Sequence, residues 1–208
     1  KFCNHLLGHI RGGLSYVNIS ASMLFAGISG TAISDTASLG AVMIPAMKKE
    51  GYDSDFSCAI TAASSTVGPI IPPSLPMIIA ATLSGLSVGK LFLAGAIPGL
   101  LLGLGLMLVA YFVAKKKNYP KHQKSSIMQI LKSFTDTFWA LLMTLIILFG
   151  IIGGVFTPTE ASVVAVLYAL FIGTFVYKKL NLKNISVVIL DSMKTTASLM
   201  ILVGFANL

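Results

Sequence analysis

The stretch that decides the fold is SSTVGPIIPPS, residues 64–74. It places three prolines, a glycine and four hydroxyl side chains inside an otherwise apolar part of the chain. Proline has no backbone N–H and its ring collides with the preceding turn, so a helix through Pro69, Pro72 and Pro73 must open. The sequence therefore predicts a helix over residues 58–86 that is broken in its middle.

The composition around this break is that of a membrane protein. Of the 208 residues, 55% are hydrophobic and only 11% are charged, and the mean hydropathy is +0.87. A soluble domain of this length does not need so much apolar surface. At about 20 residues per crossing, the chain is long enough for about six or seven crossings. We therefore expect an all-α, multi-pass integral membrane protein embedded in the lipid bilayer.

The positions of the basic residues indicate what kind of partner the net charge of +8 suits. They cluster between apolar stretches, which is typical of cytoplasmic loops that follow the positive-inside rule. No aromatic interleaving or RNA-type motif accompanies them, which argues against nucleic-acid binding. The clusters are Lys1 with Arg11, Lys48 with Lys49, Lys115–Lys117 with Lys121, Lys124 and Lys132, and Lys178, Lys179 and Lys183.

A second interruption, GISGTAISD at residues 27–35, divides the apolar region 13–47. Both a re-entrant hairpin and two full spans would return the chain to the side of its basic clusters. The polar tip favours the re-entrant hairpin, because its small hydroxyl residues and Asp35 are poorly suited to lipid.

The remaining segments follow from hydropathy and from the two ends of the chain. Residues 87–183 are expected to hold transmembrane helices with a cytoplasmic amphipathic segment at 125–134. Residues 184–208 begin a further apolar segment that stops without a polar end. Because the chain also starts without methionine, we expect it to be part of a longer protein.

Non-helical backbone at membrane depth persists only where protein or water receives its unpaired N–H and C=O groups. In transporters such breaks bind ions and anionic substrates through carbonyls and helix ends. The two breaks offer hydroxyls and freed carbonyls, which suit a hard cation such as Na⁺. Simple kinks and close helix packing are the alternative. The hydroxyls are those of Ser29, Thr31, Ser64, Ser65 and Thr66, and the carbonyls are those of residues 68–73.

Asp35 is the acidic residue expected within the membrane-embedded region. Its carboxylate could coordinate a cation, relay a proton or cap the second helix of the hairpin. For Glu160, a capping box with Thr157 is the favoured interpretation. For Lys90, the favoured interpretation is snorkelling to the membrane surface.

An enzymatic interpretation starts from GISG at residues 27–30, which matches the nucleophile pattern of rhomboid-type intramembrane serine proteases. Such a serine needs a histidine base within hydrogen-bond reach. The three histidines, His5, His9 and His122, all lie beside basic clusters. We therefore expect no enzyme.

Three long segments resemble the large membrane (M) subunit of tripartite ATP-independent periplasmic (TRAP) transporters. They are HIRGGLSYVNISASMLFAGISGTAISDTASLGAVMIPAMKKEGYD, AITAASSTVGPIIPPSLPMIIAATLSGLSVGKLFLAGAIPGLLLGL and GGVFTPTEASVVAVLYAL. The resemblance implies an elevator-type ion transporter fold of two inverted repeats. In that fold, residues 1–12 would be the end of an interfacial arm helix, and residues 13–86 would form half of the transport domain, with the hairpin 13–47 and the broken helix 58–86. The second repeat would start at 184–208, and its hairpin would follow Leu208.

The resemblance also implies a sodium site. Its ligands would be Ser29 and Thr31 from the hairpin with Gly68, Ile71 and Pro73 from the broken helix, largely through carbonyls. Asp35 would support this site or the substrate, as would the hydroxyls of Ser65 and Thr66. Thr31 and Ile33 stand where the family frequently has serine and valine, which keeps the hydroxyl.

The function implied is Na⁺-coupled uptake of a carboxylate-bearing solute, of the C4-dicarboxylate or sialic acid type, across the bacterial inner membrane. Na⁺ is the implied cofactor. The implied partners are a periplasmic substrate-binding protein and a small membrane (Q) subunit, separate or fused. An anion permease that works without a binding protein is the alternative, and a passive scaffold or channel subunit is a third possibility.

Overall fold

The computed structural model describes residues 2–121 and 126–206, and every regular element within those ranges is a helix. This confirms the all-α prediction. The chain forms two compact units, residues 1–158 and 159–208. His122, residue 125 of the amphipathic segment and the last two residues of 184–208 lie outside the described residues.

The first unit holds seven helices within its described part. They are α1 (Phe2–Leu7), α2 (Gly13–Ser29), α3 (Ala32–Lys49), α4 (Ser54–Ser65), α5 (Leu75–Ser84), α6 (Val88–Lys117) and α7 (Ile127–Ile152).

Helices α2 and α3 form a helical hairpin whose tip is Gly30 and Thr31. Gly30 ends α2 in the left-handed conformation, with φ of 62°, and its amide donates to the Ala26 carbonyl at 2.9 Å. Glycine adopts this conformation at little cost, which explains why the chain reverses there. Thr31 is extended and precedes α3.

The break predicted from residues 64–74 lies between the end of α4 at Ser65 and the start of α5 at Leu75. Ser74 is buried and closes this break. Its hydroxyl donates to the Pro69 carbonyl at 2.6 Å and accepts from the Met77 amide at 3.3 Å, which caps α5. The segment between the helices is thus an ordered loop with its own hydrogen bonds.

Helix α6 carries glycines that allow the break between α4 and α5, and also helix α2, to approach it closely. Gly99 lies against Ile71, whose Cγ1 would be 2.6 Å from a Cβ at that position. Gly95 lies beside the Ile70 carbonyl, and Gly103 lies beside Met23 of α2. A larger residue at Gly95 or Gly99 would therefore displace the backbone of the break.

A buried polar ladder joins α2 to α4. Asn18 Nδ2 donates to Thr61 Oγ1 at 2.7 Å, and the hydroxyls of Ser22 and Ser64 are 2.9 Å apart. All four side chains are fully buried. Because neighbouring residues on one helix face are three or four positions apart, Asn18 with Ser22 and Thr61 with Ser64 form matching rows.

An aromatic clasp, formed by Tyr52 and Tyr119, closes the end of the unit where α2 begins. The two rings stack with centroids 4.2 Å apart, and the Tyr52 hydroxyl accepts from the Leu14 amide at 3.3 Å. Beside the rings, Lys117 pairs with Asp53 at 2.9 Å. The clasp therefore holds the α3–α4 loop against the start of α2 and the end of α6.

Helix α7 bends by 54° between Met128–Thr135 and Thr137–Ile152. Its N-terminus is capped by Gln129, whose side chain accepts from the Ser126 amide at 3.2 Å. Thr144 on the second part donates to the Gly27 carbonyl at 3.2 Å, which braces the hairpin close to its tip. The bend falls near the point where the amphipathic pattern of residues 125–134 gives way to an apolar one.

The second unit contains α8 (Pro158–Phe171), a π-helical turn (Ile172–Val176) and α9 (Leu182–Ala206). Glu160 lies in the first turn of α8. Helices α6 and α8 with its π-helical turn are long and apolar enough to cross a membrane, and the two parts of α7 together would be a third span. At ten residues, α5 is too short to cross alone.

Candidate functional site

The candidate site lies where the tip of the hairpin meets the break between α4 and α5. The Leu75 amide donates to the Gly30 carbonyl at 3.4 Å. A Cβ on Gly30 would lie 3.0 Å from the Pro73 carbonyl oxygen and 3.1 Å from the Leu75 nitrogen. The two interruptions are therefore in direct backbone contact.

Asp35 connects the two sides of this site. It lies in the first turn of α3 and is fully buried. Ser29 at the end of α2 donates its hydroxyl to Asp35 Oδ1. The other carboxylate oxygen, Oδ2, lies over Gly68 in the break, and it has no hydrogen-bond partner among the residues that the structure describes.

A buried carboxylate oxygen without a donor is costly, because it has lost water and gained nothing in its place. Gly68 is itself buried and, because it has no side chain, it leaves open the space next to Asp35 Oδ2. A Cβ on Gly68 would collide with this oxygen at 2.5 Å. An oxygen-binding cation would compensate this charge, since hard cations bind carboxylate, hydroxyl and carbonyl oxygens. The donor atoms around Asp35 therefore fit an alkali ion.

Thr31 occupies the tip, half-buried, and contributes its backbone to the same cluster. Its amide lies 3.3 Å from the Ser29 hydroxyl, and its carbonyl accepts from the Asp35 amide at 3.2 Å. The side chain of Thr31 does not cap α3. The first amides of α3 therefore face the tip without a side-chain acceptor from the residue before the helix.

Contacts bring together five of the eight predicted site residues. These are Ser29, Thr31, Asp35, Gly68 and Pro73.

The side chains of the other three make contacts elsewhere, although the Ser65 carbonyl accepts from the Gly68 amide at 3.1 Å. Ile71 packs on Gly99 of α6, while Ser65 and Thr66 donate their hydroxyls to the Thr61 and Ala63 carbonyls of their own helix. Their predicted roles stay predictions. The Ser29 hydroxyl donates to a carboxylate, whereas the protease interpretation requires a histidine partner.

Sequence reasoning missed Ser74 and the polar ladder. Ser74 precedes a Leu-Pro pair, which is a recognisable helix start. In the ladder, Asn18 and Ser22 are four positions apart on an apolar helix, and a repeated polar position of this kind indicates a buried polar contact.

The family model for the DctM component of the tripartite ATP-independent periplasmic transporter matches residues 1–208. The chain belongs to the DctM family. This confirms the resemblance predicted from the motifs.

Two relatives of the chain are named as sialic acid permeases, which are transport proteins. It is 46% identical over 94% of its length to the sialic acid TRAP transporter permease protein SiaT of Haemophilus influenzae, covering 32% of that protein. It is 46% identical over 98% to the sialic acid TRAP transporter large permease protein SiaM of Vibrio cholerae, covering 48% of it.

A third relative carries a different substrate in its name. The C4-dicarboxylate TRAP transporter large permease protein DctM of Pseudomonas aeruginosa is 44% identical over 100% of this chain, which covers 48% of that protein. The chain thus spans about half or less of the length of these relatives.

Proposed function

We propose that this chain forms one half of the transport site of a Na⁺-coupled secondary transporter that imports a carboxylate-bearing solute across the bacterial inner membrane. The observation that carries the proposal is the buried Oδ2 of Asp35, which lies between two interrupted helices without a hydrogen-bond partner among the described residues.

Sodium would be held by Asp35 and Ser29 together with backbone oxygens of the tip and the break. Thr31, Gly68 and Pro73 lie at the positions from which such backbone ligands would come. Na⁺ would supply the positive charge that compensates the buried carboxylate of Asp35. Because Asp35 lies on the hairpin and Gly68 on the broken helix, a shared ion would join the two segments.

Na⁺ binding is coupled to transport if the ion-bound conformation of the site is also the one that binds substrate. An ion drives transport only when it favours one conformation over the other. The amides at the start of α3 carry the positive end of the helix dipole and lack a side-chain cap from Thr31. They would receive a substrate carboxylate once Na⁺ has ordered the tip.

The substrate class is proposed from two sources. Sialic acid and C4-dicarboxylates, the solutes in the relatives' names, both carry carboxylates. The uncapped start of α3 fits such a group. A periplasmic binding protein and a small membrane subunit are the proposed partners, in line with the family description.

Uptake by the full-length transporter in proteoliposomes tests the proposal. With its cognate binding protein present, an inward Na⁺ gradient should drive accumulation of the carboxylate, and a proton gradient in Na⁺-free buffer should not. Accumulation driven by protons would overturn Na⁺ coupling. Equal uptake without the binding protein would identify a permease that works alone, and uptake that does not saturate with Na⁺ would identify a channel.

A further inference from the structure

A basic cleft formed by Arg11, Tyr111 and Lys115 lies at the end of α6 that carries the lysine cluster. Its volume is about 210 Å³. The geometry points to a binding site for the phosphate of an anionic phospholipid.

The backbone holds the two sides of this cleft together. Arg11 belongs to the turn before α2, and the next residue, Gly12, donates its amide to the Pro120 carbonyl at 3.0 Å. Gly12 also packs directly on Ala114 of α6. The Arg11 guanidinium is therefore kept beside the last turns of α6, next to Lys115.

The two cations in the cleft are not neutralised by the protein. In the described parts of the chain, neither Arg11 nor Lys115 forms an ion pair, whereas the nearby Lys117 is paired with Asp53 at 2.9 Å. Arg11 and Lys115 are both exposed. An arginine and a lysine that line one small cleft suit a phosphate group.

The surface below the cleft distinguishes a lipid from a free anion. Leu101, Leu104, Leu108 and Tyr111 lie on the same face of α6 as Lys115, at alternating spacings of three and four residues. The three leucines are 52% to 62% exposed, so the described chain does not cover them. We name Leu101, Leu104, Leu108 and Tyr111 the α6 apolar stripe.

The stripe has the length that an acyl chain requires. Lys115 lies fourteen positions after Leu101, which corresponds to about 21 Å along a helix. One leaflet of the hydrocarbon core is about 15 Å thick. A phospholipid with its phosphate in the basic cleft could thus lay a chain along the stripe, and a free phosphate would leave the stripe unused. Tyrosine at the boundary is typical of the membrane interface.

The test uses the full-length transporter in nanodiscs of phosphatidylcholine containing increasing fractions of phosphatidylglycerol, with bound lipids counted by native mass spectrometry. We expect a tight phosphatidylglycerol site in the unmodified protein. The double variant Arg11→Gln, Lys115→Gln should weaken that site at least about tenfold, since each basic residue contributes to lipid attraction. Arg11→Lys should keep most of the binding.

The matched control is the double variant Lys48→Gln, Lys49→Gln, which removes the same charge from another basic cluster. It should change the tight site by less than about twofold. If the cleft variant is too unstable to purify, the exposed single variant Lys115→Gln carries the same comparison, with an expected loss of about threefold.

Four results would overturn the proposal. They are equal weakening in the cleft and control variants, equal binding of phosphatidylcholine, displacement of phosphatidylglycerol by excess inorganic phosphate, and the absence of any tight lipid site. The third would identify a free-anion site.

Discussion

The carboxylate of Asp35 lies against the α-carbon of Gly68, so that a Cβ on Gly68 would lie 2.5 Å from Asp35 Oδ2. These residues are 33 positions apart and belong to two different interruptions of the helical chain. Their contact leaves no room for a side chain at Gly68, but it leaves a buried acceptor facing the break. The following expectations concern the full-length transporter that contains this chain.

Gly68→Ala should strongly impair Na⁺-dependent uptake. The added methyl group would collide with Asp35 Oδ2 and would also approach the Ser65 carbonyl, at 3.2 Å. We expect the Na⁺ concentration for half-maximal uptake to rise about tenfold, the result of a loss of about 1.4 kcal/mol in ion binding. Gly105→Ala is the control, because nothing lies within 4 Å of a Cβ at Gly105. Equal Na⁺ dependence in both variants would contradict the proposed site.

Asp35→Asn removes the charge of the carboxylate but keeps a side chain of nearly the same shape, with an oxygen that can still accept from Ser29. We expect Na⁺ to raise the melting temperature of the unmodified protein, and we expect the variant to fold but to show no such increase. A ligand that binds only the folded state raises stability with its concentration. The measurement is thermal unfolding in Na⁺ and in choline buffers. A variant that Na⁺ still stabilises to the full extent would show that Asp35 is no ligand.

Gly30→Ala should disturb both the turn and its contact with the break. A non-glycine residue in the left-handed conformation costs roughly 1–2 kcal/mol, and the methyl group would lie 3.0 Å from the Pro73 carbonyl. Gly85→Ala is the matched control, because Gly85 has a similar φ of 70° but no atom within 4 Å of a Cβ. Both variants should lose stability, but only Gly30→Ala should lose Na⁺-driven uptake. Equal uptake in the two variants would show that the contact with the break is not required.

Asn18 and Thr61 should be energetically coupled. Their hydrogen bond of 2.7 Å joins α2 to α4 within the buried ladder. A double-mutant cycle with Asn18→Ala and Thr61→Ala should give a coupling of about 0.5–1 kcal/mol, the usual range between helices in a membrane protein. Chemical unfolding in detergent measures it. The pair Ser38 and Ser84, on exposed parts of α3 and α5, should show no coupling.

Tyr52→Phe should destabilise the protein without changing the Na⁺ dependence of uptake. The Tyr52 hydroxyl accepts from the Leu14 amide in the first turn of α2, and its loss would leave that buried amide unpaired. The expected cost is about 1–3 kcal/mol, read as a lower unfolding temperature. A change in the Na⁺ concentration for half-maximal uptake would show instead that the aromatic clasp affects the transport site.

Both helix interruptions were predictable, because proline and glycine act on their own backbone. Three prolines and a glycine within residues 68–73 remove several helix-forming groups at once, and the structure begins α5 only after them, at Leu75. Single prolines, Pro45 in α3 and Pro98 in α6, lie within continuous helices. Gly30 likewise ends α2 within the predicted segment 27–35. The family was predictable for a related reason. A long motif is recognised from the order of residues along the chain, without knowledge of which residues are in contact.

Tertiary structure alone decided which polar groups meet. The sequence offered Ser29, Ser65 and Thr66 as equivalent hydroxyls, yet Ser29 donates to Asp35 while the other two donate to carbonyls of their own helix. Only the packing of the hairpin on the broken helix, through the close approach of Gly30 to Pro73, places Asp35 over Gly68. Backbone breaks are local events, whereas the burial of Asp35 Oδ2 without a hydrogen-bond partner in the described chain requires two distant segments that together exclude water.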